Sequence, residues 1–296
     1  MRRAGLLLSL IGLLALPAAV RAVVVYDGDG TQDVAAFAID DPRGRVGVVN
    51  GCTGVYLGDV GGADWVITAA HVGEGSFTVG GATYAAVAGS SVRLTNTGGS
   101  AADLVLYRID SSLNLSLLPL SASSAGAGVS VTMIGNGYNR AASPTTWYVT
   151  GGSTWSTTPS AGAEVATGYY YDSGNTLRWG INTVSGTSSL LSFNNTVCEA
   201  TTFDAAPGEA QGAVGDSGGG VFSLDSADEW TLSGIMLAIG GYKGQPSAAV
   251  VGNETYFADL SAYKSQILTT IPEPATVPVL LGIATLGMAV WLRRRR

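Results

Sequence analysis

The sequence predicts an all-β domain closed by one late helix, and three observations carry that prediction. Glycine supplies 42 of the 296 residues and charged side chains only 12%, a balance that suits many tight turns and few long solvent-facing helices. Short β-rich runs, at 46–50, 55–57, 65–68, 76–79, 83–88, 104–109, 129–134, 147–149, 177–181, 197–203, 221–224 and 231–235, are separated by Gly/Ser/Asn/Asp turns. Helical spacing appears late, at 260–268, where Leu260, Tyr263, Lys264, Ile267 and Leu268 share one face. Strands so spaced suggest a sandwich or barrels. The Ser/Ala/Leu/Gly-rich stretch 113–127 is a candidate link between two halves. With 46% apolar residues the chain has ample material for a core.

Charge and cysteine content narrow the function classes. Seven of the 15 basic residues lie at the two ends, at Arg2, Arg3, Arg21 and 293–296. Residues 23–271 therefore carry eight basic against 21 acidic side chains, a balance of about −13, which a phosphate backbone repels; nucleic acid is not an expected partner. Two cysteines, Cys52 and Cys198, with no CxxC or Cys/His cluster, exclude a structural zinc site, and no cofactor is implied. Asp27, Asp29 and Asp33 alternate with glycines but lack the bidentate glutamate and length of a calcium loop, so they read as a solvated turn.

Both ends read as addresses. Residues 1–22 have the plan of a secretory signal peptide: Arg2 and Arg3, an apolar run from Leu6 to Leu16, and a cut after Ala22 that leaves Val23 first. The alternative, a membrane anchor, has a short apolar core for a bilayer. At the other end Ile271-Pro272-Glu273-Pro274 in the linker 269–275 precedes an apolar run at 276–292 and four arginines at 293–296. The run is at the short end of a transmembrane helix, and the arginines would stay cytoplasmic. Pro-Glu-Pro, span and basic tail in that order closely resemble the PEP-CTERM sorting signal of Gram-negative bacteria. That resemblance implies an exosortase-type enzyme as partner, transient residence in the inner membrane, and release to the periplasm, outer surface or extracellular matrix; a plain C-terminal anchor is the alternative.

Three motifs carry chemistry. The chain's one histidine, His71, ends Trp65-Val66-Ile67-Thr68-Ala69-Ala70, an apolar strand running into a small-residue turn. At such a strand end an imidazole can serve as a general base, although a lone histidine is more often structural. In Gly215-Asp216-Ser217-Gly218-Gly219-Gly220 the glycines allow a sharp turn that aims N–H groups at a bound carbonyl, with Gly215 and Ser217 as the oxyanion-hole donors; an ordinary Gly/Ser loop is the plainer reading. Asp103 enters the apolar strand Leu104-Val105-Leu106, where a buried carboxylate needs a partner such as an imidazole N–H, or simply starts the strand.

Thr68-Ala69-Ala70-His71, Asp103-Leu104-Val105-Leu106 and Gly215-Asp216-Ser217-Gly218-Gly219 together resemble the three signature blocks of the chymotrypsin/trypsin family, in that family's order. Gly51-Cys52-Thr53-Gly54-Val55 and Thr255-Tyr256-Phe257-Ala258-Asp259-Leu260 extend the likeness over roughly 45–268, within a protease domain placed at 23–268. The resemblance implies two antiparallel β-barrels with a cleft between them, and a serine endopeptidase with His71, Asp103 and Ser217 as its triad and a protein or peptide as substrate.

The chain also departs from that family. The usual cysteine after the histidine is Val72, so Cys52 lacks its customary partner and either pairs with Cys198 or leaves both thiols free. Gln211 stands at the specificity-pocket position, which argues against a Lys/Arg preference, and Met236-Leu237-Ala238-Ile239-Gly240 replaces the usual Ser-Trp-Gly lining. Signal cleavage would expose Val23, whose amine would then pair with Asp216. The rival readings are a protease fold that has lost activity and binds at the surface, and a component of an exopolysaccharide matrix.

Overall fold

The structure, a computed structural model, describes residues 23–27, 37–190 and 194–271. The expected leader at 1–22, the expected sorting segment at 276–292 with its basic tail, and Asp29 and Asp33 lie outside them. Among the described residues no helix is long and apolar enough to cross a membrane.

Strand β1 (Val24–Val25) precedes seven strands of one antiparallel sheet: β2 (Val46–Val49), β3 (Cys52–Val60), β4 (Ala63–Ala69), β5 (Phe77–Val79), β6 (Ala82–Tyr84), β7 (Val92–Thr95) and β8 (Ala101–Ile109), in the order β6-β5-β2-β3-β4-β8-β7. Twelve more follow: β9 (Ser130–Gly135), β10 (Tyr138–Arg140), β11 (Thr145–Thr150), β12 (Thr154–Ser156), β13 (Glu164–Asn175), β14 (Arg178–Leu190), β15 (Val197–Thr202), β16 (Ala210–Gln211), β17 (Gly220–Leu224), β18 (Trp230–Gly240), β19 (Ala248–Val250) and β20 (Glu254–Asp259). Of these, β14-β15-β20-β18-β17-β9 close into a barrel.

The expected pair of barrels is thus corrected to one closed barrel and one curled, open sheet. The segment after β6 curls round to β8, where an Ala86–Ile109 bridge is flanked by Val87 N–H to the Arg108 carbonyl (2.8 Å) and Asp110 N–H to the Ala85 carbonyl (2.9 Å), with no longer ladder between them. Of a third sheet, β10-β13-β11-β12 with β19 against β13, only the run at 147–149, within β11, was expected. Its long member β13 alternates no apolar face and is largely exposed, so the period-two signal is missing. The late helix is shifted as well: Leu260–Ala262 is a 3-10 turn capped by Asp259, and α1 runs Lys264–Thr270. Tyr263 and Ile267 are buried, as the helical spacing required.

One apolar core joins the two halves. Val55, Leu57, Ile67, Leu104 and Leu106 of the open sheet pack in the same cluster as Ile134, Phe222, Leu232, Ile235 and Leu237 of the barrel. The connection between β8 and β9 runs along both: Leu118 N–H donates to the Leu57 carbonyl at 2.6 Å, and Ser121 N–H to the Leu232 carbonyl at 3.1 Å. Burial at this seam supplies most of the force holding the halves in register, at about 1.5–3 kcal/mol per large aliphatic side chain. Leu57→Ala should therefore lower stability by ~2–5 kcal/mol, read as a lower urea midpoint with an unchanged m-value.

Candidate active site

The chain turns sharply after β4, where the N–H groups of Val72 and Gly73 both close on the Ala69 carbonyl, at 3.0 and 3.2 Å. This turn sets His71 at the mouth of a cleft, with its side chain 39% exposed. Because β8 is the neighbour of β4, with Ala69 opposite Leu104, the residue before Leu104 lies beside His71. Asp103, 1% exposed, accepts from the His71 backbone N–H at Oδ1 (2.9 Å) and from the imidazole Nδ1 at Oδ2 (2.7 Å). The Asn194 carboxamide donates to the same Oδ2 at 2.6 Å. Burial works to raise the carboxyl's pKa, but the bonds from His71 and Asn194 outweigh it and hold Asp103 below the usual range. An ionised carboxylate can only accept, so Nδ1 carries the imidazole proton and Nε2 keeps its lone pair for the cleft.

Ser217 lies in a loop of the barrel half that is gripped from the open sheet by one residue. Thr53, on β3, donates its backbone N–H to the Ser217 carbonyl (3.0 Å) and its hydroxyl to the Gly215 carbonyl (3.0 Å). The same hydroxyl accepts from Asn136 N–H at 2.8 Å. With both carbonyls turned to Thr53, the N–H groups of Gly215 and Ser217 find no protein acceptor among the described residues and remain available to a developing oxyanion. Gly218 has φ +87°, and a Cβ there would fall 2.0 Å from the Thr53 carbonyl oxygen, so only glycine permits this approach.

Beneath the loop Asp216 is 2% exposed and accepts from the N–H groups of Gly137 and Ala213, both at 2.6 Å, and from that of Val23. A Cβ on Gly135 would sit 2.1 Å from Asp216 Oδ1. Among the described residues no cation reaches this carboxyl, only amides, and burial pushes it up to about 7. The two buried acids of the site thus move in opposite directions, the one beside the imidazole downward and the one among amides upward.

His71 and Ser217 line one cavity of about 260 Å³ with Cys52, Gly212, the wall Met236–Ile239 and Thr255. It is built from both halves of the molecule. The geometry places a hydroxyl, an imidazole oriented by a buried carboxylate, and two N–H groups without a protein acceptor among the described residues around one apolar recess.

The family model described as Trypsin matches residues 43–260. The chain belongs to the trypsin family. Among solved structures it is similar to neuropsin, a serine protease expressed in the limbic system of mouse brain, at 18% identity and TM-score 0.47, covering 80% of this chain and 97% of that one. Kallikrein-related peptidase 10 aligns at 20% identity and TM-score 0.46, covering 79% and 98%. Comparison with curated proteins found no match.

Within this trypsin-family frame the structure selects one of the two cysteine alternatives and corrects the placing of Gln211. Cys52 and Cys198 do not pair: both are free thiols, Cys52 on the cavity wall and Cys198 inside the core cluster of the barrel. Burial raises the Cys52 thiol, with Asp216 adding to it, and pushes Cys198 up to about 12. Gln211 does not line the cavity. It is fully buried where β16 pairs with Val24, and its Nε2 donates to the Glu254 carbonyl at 3.1 Å, leaving Gly212 to face the recess. Sequence reasoning missed the Thr53 hydroxyl and Asn194. Thr53 stood inside a quoted block without a role, and Asn194-Asn195 reads only as a turn. Thr53→Val, which keeps the shape and removes the hydroxyl, should lower kcat roughly tenfold to a hundredfold with KM little changed, because Gly215 loses its tether and the Asn136 N–H its acceptor. Steady-state kinetics on a peptide anilide checks this.

Proposed function

We propose that this chain is an exported serine endopeptidase in which His71, Asp103 and Ser217 act as the catalytic triad. One observation carries the reading: the lone histidine is held by a buried, ionised Asp103 at 2.7 Å, with its other nitrogen toward the cleft that Ser217 shares. His71 Nε2 takes the Ser217 hydroxyl proton as Oγ attacks the substrate carbonyl carbon. The oxyanion is received by the N–H groups of Gly215 and Ser217. Collapse breaks the C–N bond, the amine leaves with the proton from His71, and water repeats the sequence on the acyl-enzyme. Ser217→Ala should abolish peptide hydrolysis, as assayed by mass spectrometry of cleaved peptides. A folded wild type that cleaves no peptide would favour the rival, a binding module on a protease scaffold.

The recess favours apolar residues before the scissile bond. Its wall is Ala213, Met236, Leu237, Ala238 and Ile239, and no cationic substrate group would find a free carboxylate there, since the Asp216 oxygens are occupied by amides. A peptide library should show kcat/KM for Ala, Val or Leu at this position exceeding that for Lys or Arg by at least about a hundredfold, the penalty of burying an uncompensated charge.

Export and surface release rest on the leader 1–22 and on the Pro272-Glu273-Pro274 tail. Removal of the leader also supplies the activating group in this reading. Val23 is 2% exposed with φ 33°, a left-handed value that costs a β-branched residue on the order of 1–3 kcal/mol, and its nitrogen faces Asp216. An α-amino terminus at Val23 would have no preceding peptide to strain and would bring a cation to the buried carboxyl. In the uncut chain Asp216 titrates near 7, above its unfolded value, so its contribution to stability is present below about pH 4 and is lost as pH rises toward 7. The other titratable groups facing it, Cys52 and Tyr171, supply no positive charge. Thermal unfolding from pH 4 to 8 should show this loss in protein retaining Ala22 and not in protein beginning at Val23, and only the latter should be fully active.

A further inference from the structure

Asp103 is held from two sides, and only one belongs to the half that bears it and His71. Residues 194–196, which open β15, reach from the barrel half onto the open sheet. Asn194 donates to Asp103 Oδ2 (2.6 Å), and the Thr196 hydroxyl accepts from the Asp103 backbone N–H (2.7 Å) while donating to the Asn194 carbonyl (2.9 Å). Asn195 continues the contact: its Nδ2 donates to Ser100 Oγ at 2.7 Å, and its carbonyl accepts from Asn96 Nδ2 at 2.5 Å. Tyr263, from the turn before α1, locks the other side, donating to Asn96 Oδ1 (2.6 Å) and accepting from Val197 N–H (2.9 Å). Asn194 and Asn195 have φ 55° and 49°, left-handed values that asparagine tolerates better than most side chains.

We propose that Asn194 is a positioning residue for the triad, its carboxamide holding Asp103 Oδ2 in line with the His71 Nδ1–H. The reasoning rests on the endopeptidase reading above. The His71 backbone N–H fixes Oδ1 and the imidazole binds Oδ2, both from one residue; Asn194 adds a donor to Oδ2 from a different segment, so the oxygen keeps its place when the His71 turn moves. Asn194 shares Oδ2 with the imidazole, so it both orients the oxygen and offsets part of its charge, while Thr196 anchors the aspartate backbone. The clip also ties the half bearing His71 and Asp103 to the half bearing Ser217, so a loss at Asn194 acts on the relative placement of base and nucleophile. It touches neither substrate nor the reacting atoms.

Asn194→Gly tests this directly, because glycine keeps the left-handed turn and deletes only the donor. In full-length protein with Val23 as N-terminus, kcat on an apolar peptide anilide should fall on the order of tenfold to a hundredfold, with KM changed less than about twofold and the thermal midpoint nearly unmoved. Asn194→Asp, which sets a second carboxylate against Asp103, should be worse than Asn194→Gly. The chain has one histidine, so the low-field Nδ1 proton resonance of His71 is unambiguous; it should shift or broaden in Asn194→Gly. Unchanged kcat with an unchanged resonance would overturn the proposal, as would a loss of kcat fully matched by loss of folded protein. Should the folded wild type hydrolyse no peptide, the endopeptidase reading fails, and the resonance alone still decides whether Asn194 orients the Asp103–His71 pair.

Discussion

A carboxylate at 1% exposure is the constraint around which the functional part of this molecule is organised. An ionised Asp103 in a protein interior is tolerated only when its oxygens are bonded, because desolvating an unpaired carboxylate costs several kcal/mol. The chain meets that need with three N–H donors, two from His71 and one from Asn194. Meeting it dictates the histidine tautomer, sets the turn after β4 against the start of β8, and draws a segment of the barrel half onto the open sheet. The chemistry of the cleft then follows from satisfying a buried charge.

The loop that carries Ser217 answers a second constraint, the close approach of two halves with different architecture. Thr53 of the open sheet grips the Gly215 and Ser217 carbonyls, Gly218 lets the backbones meet, and Asp216 secures the loop from below through amides alone. The residue that holds the Gly215 and Ser217 carbonyls therefore comes from one half and the loop itself from the other. A continuous apolar cluster through Leu57, Leu104, Phe222 and Leu232 keeps these distances from drifting. The same logic explains why the recess is apolar: its wall is the end of β18, the strand that supplies Ile235 and Leu237 to that core.

How much of this could be read from sequence depended on whether a residue carries its reason locally. His71, Asp103 and Ser217 stood out because each sits where an apolar run meets a small-residue turn, and the structure brings His71 to Asp103 and Ser217 to the same cleft. The central strands β3, β4, β8, β17 and β18 were legible from apolar content. β13 and β12 were not, being exposed and polar, and β20 was read only as an approach to the helix because its alternation is masked by Asp259 and Glu254. Closure of the first half depended on how far the segment after β6 pairs with β8, which no local pattern encodes. Asn194 and the Thr53 hydroxyl act through partners 91 and 162 positions away, and the Cys52–Cys198 question turned on distance, which spacing along the chain does not reveal.

The central claim is that Ser217 is an activated nucleophile, and covalent trapping addresses it most directly. Folded protein beginning at Val23 would be treated with diisopropyl fluorophosphate, beside a Ser217→Ala control, and the intact mass and adduct position read by mass spectrometry. A single phosphoryl adduct on Ser217, absent from the control, is the predicted result. No adduct on a protein shown to be folded, with its N-terminus confirmed at Val23, would contradict it and leave a protease scaffold without protease chemistry.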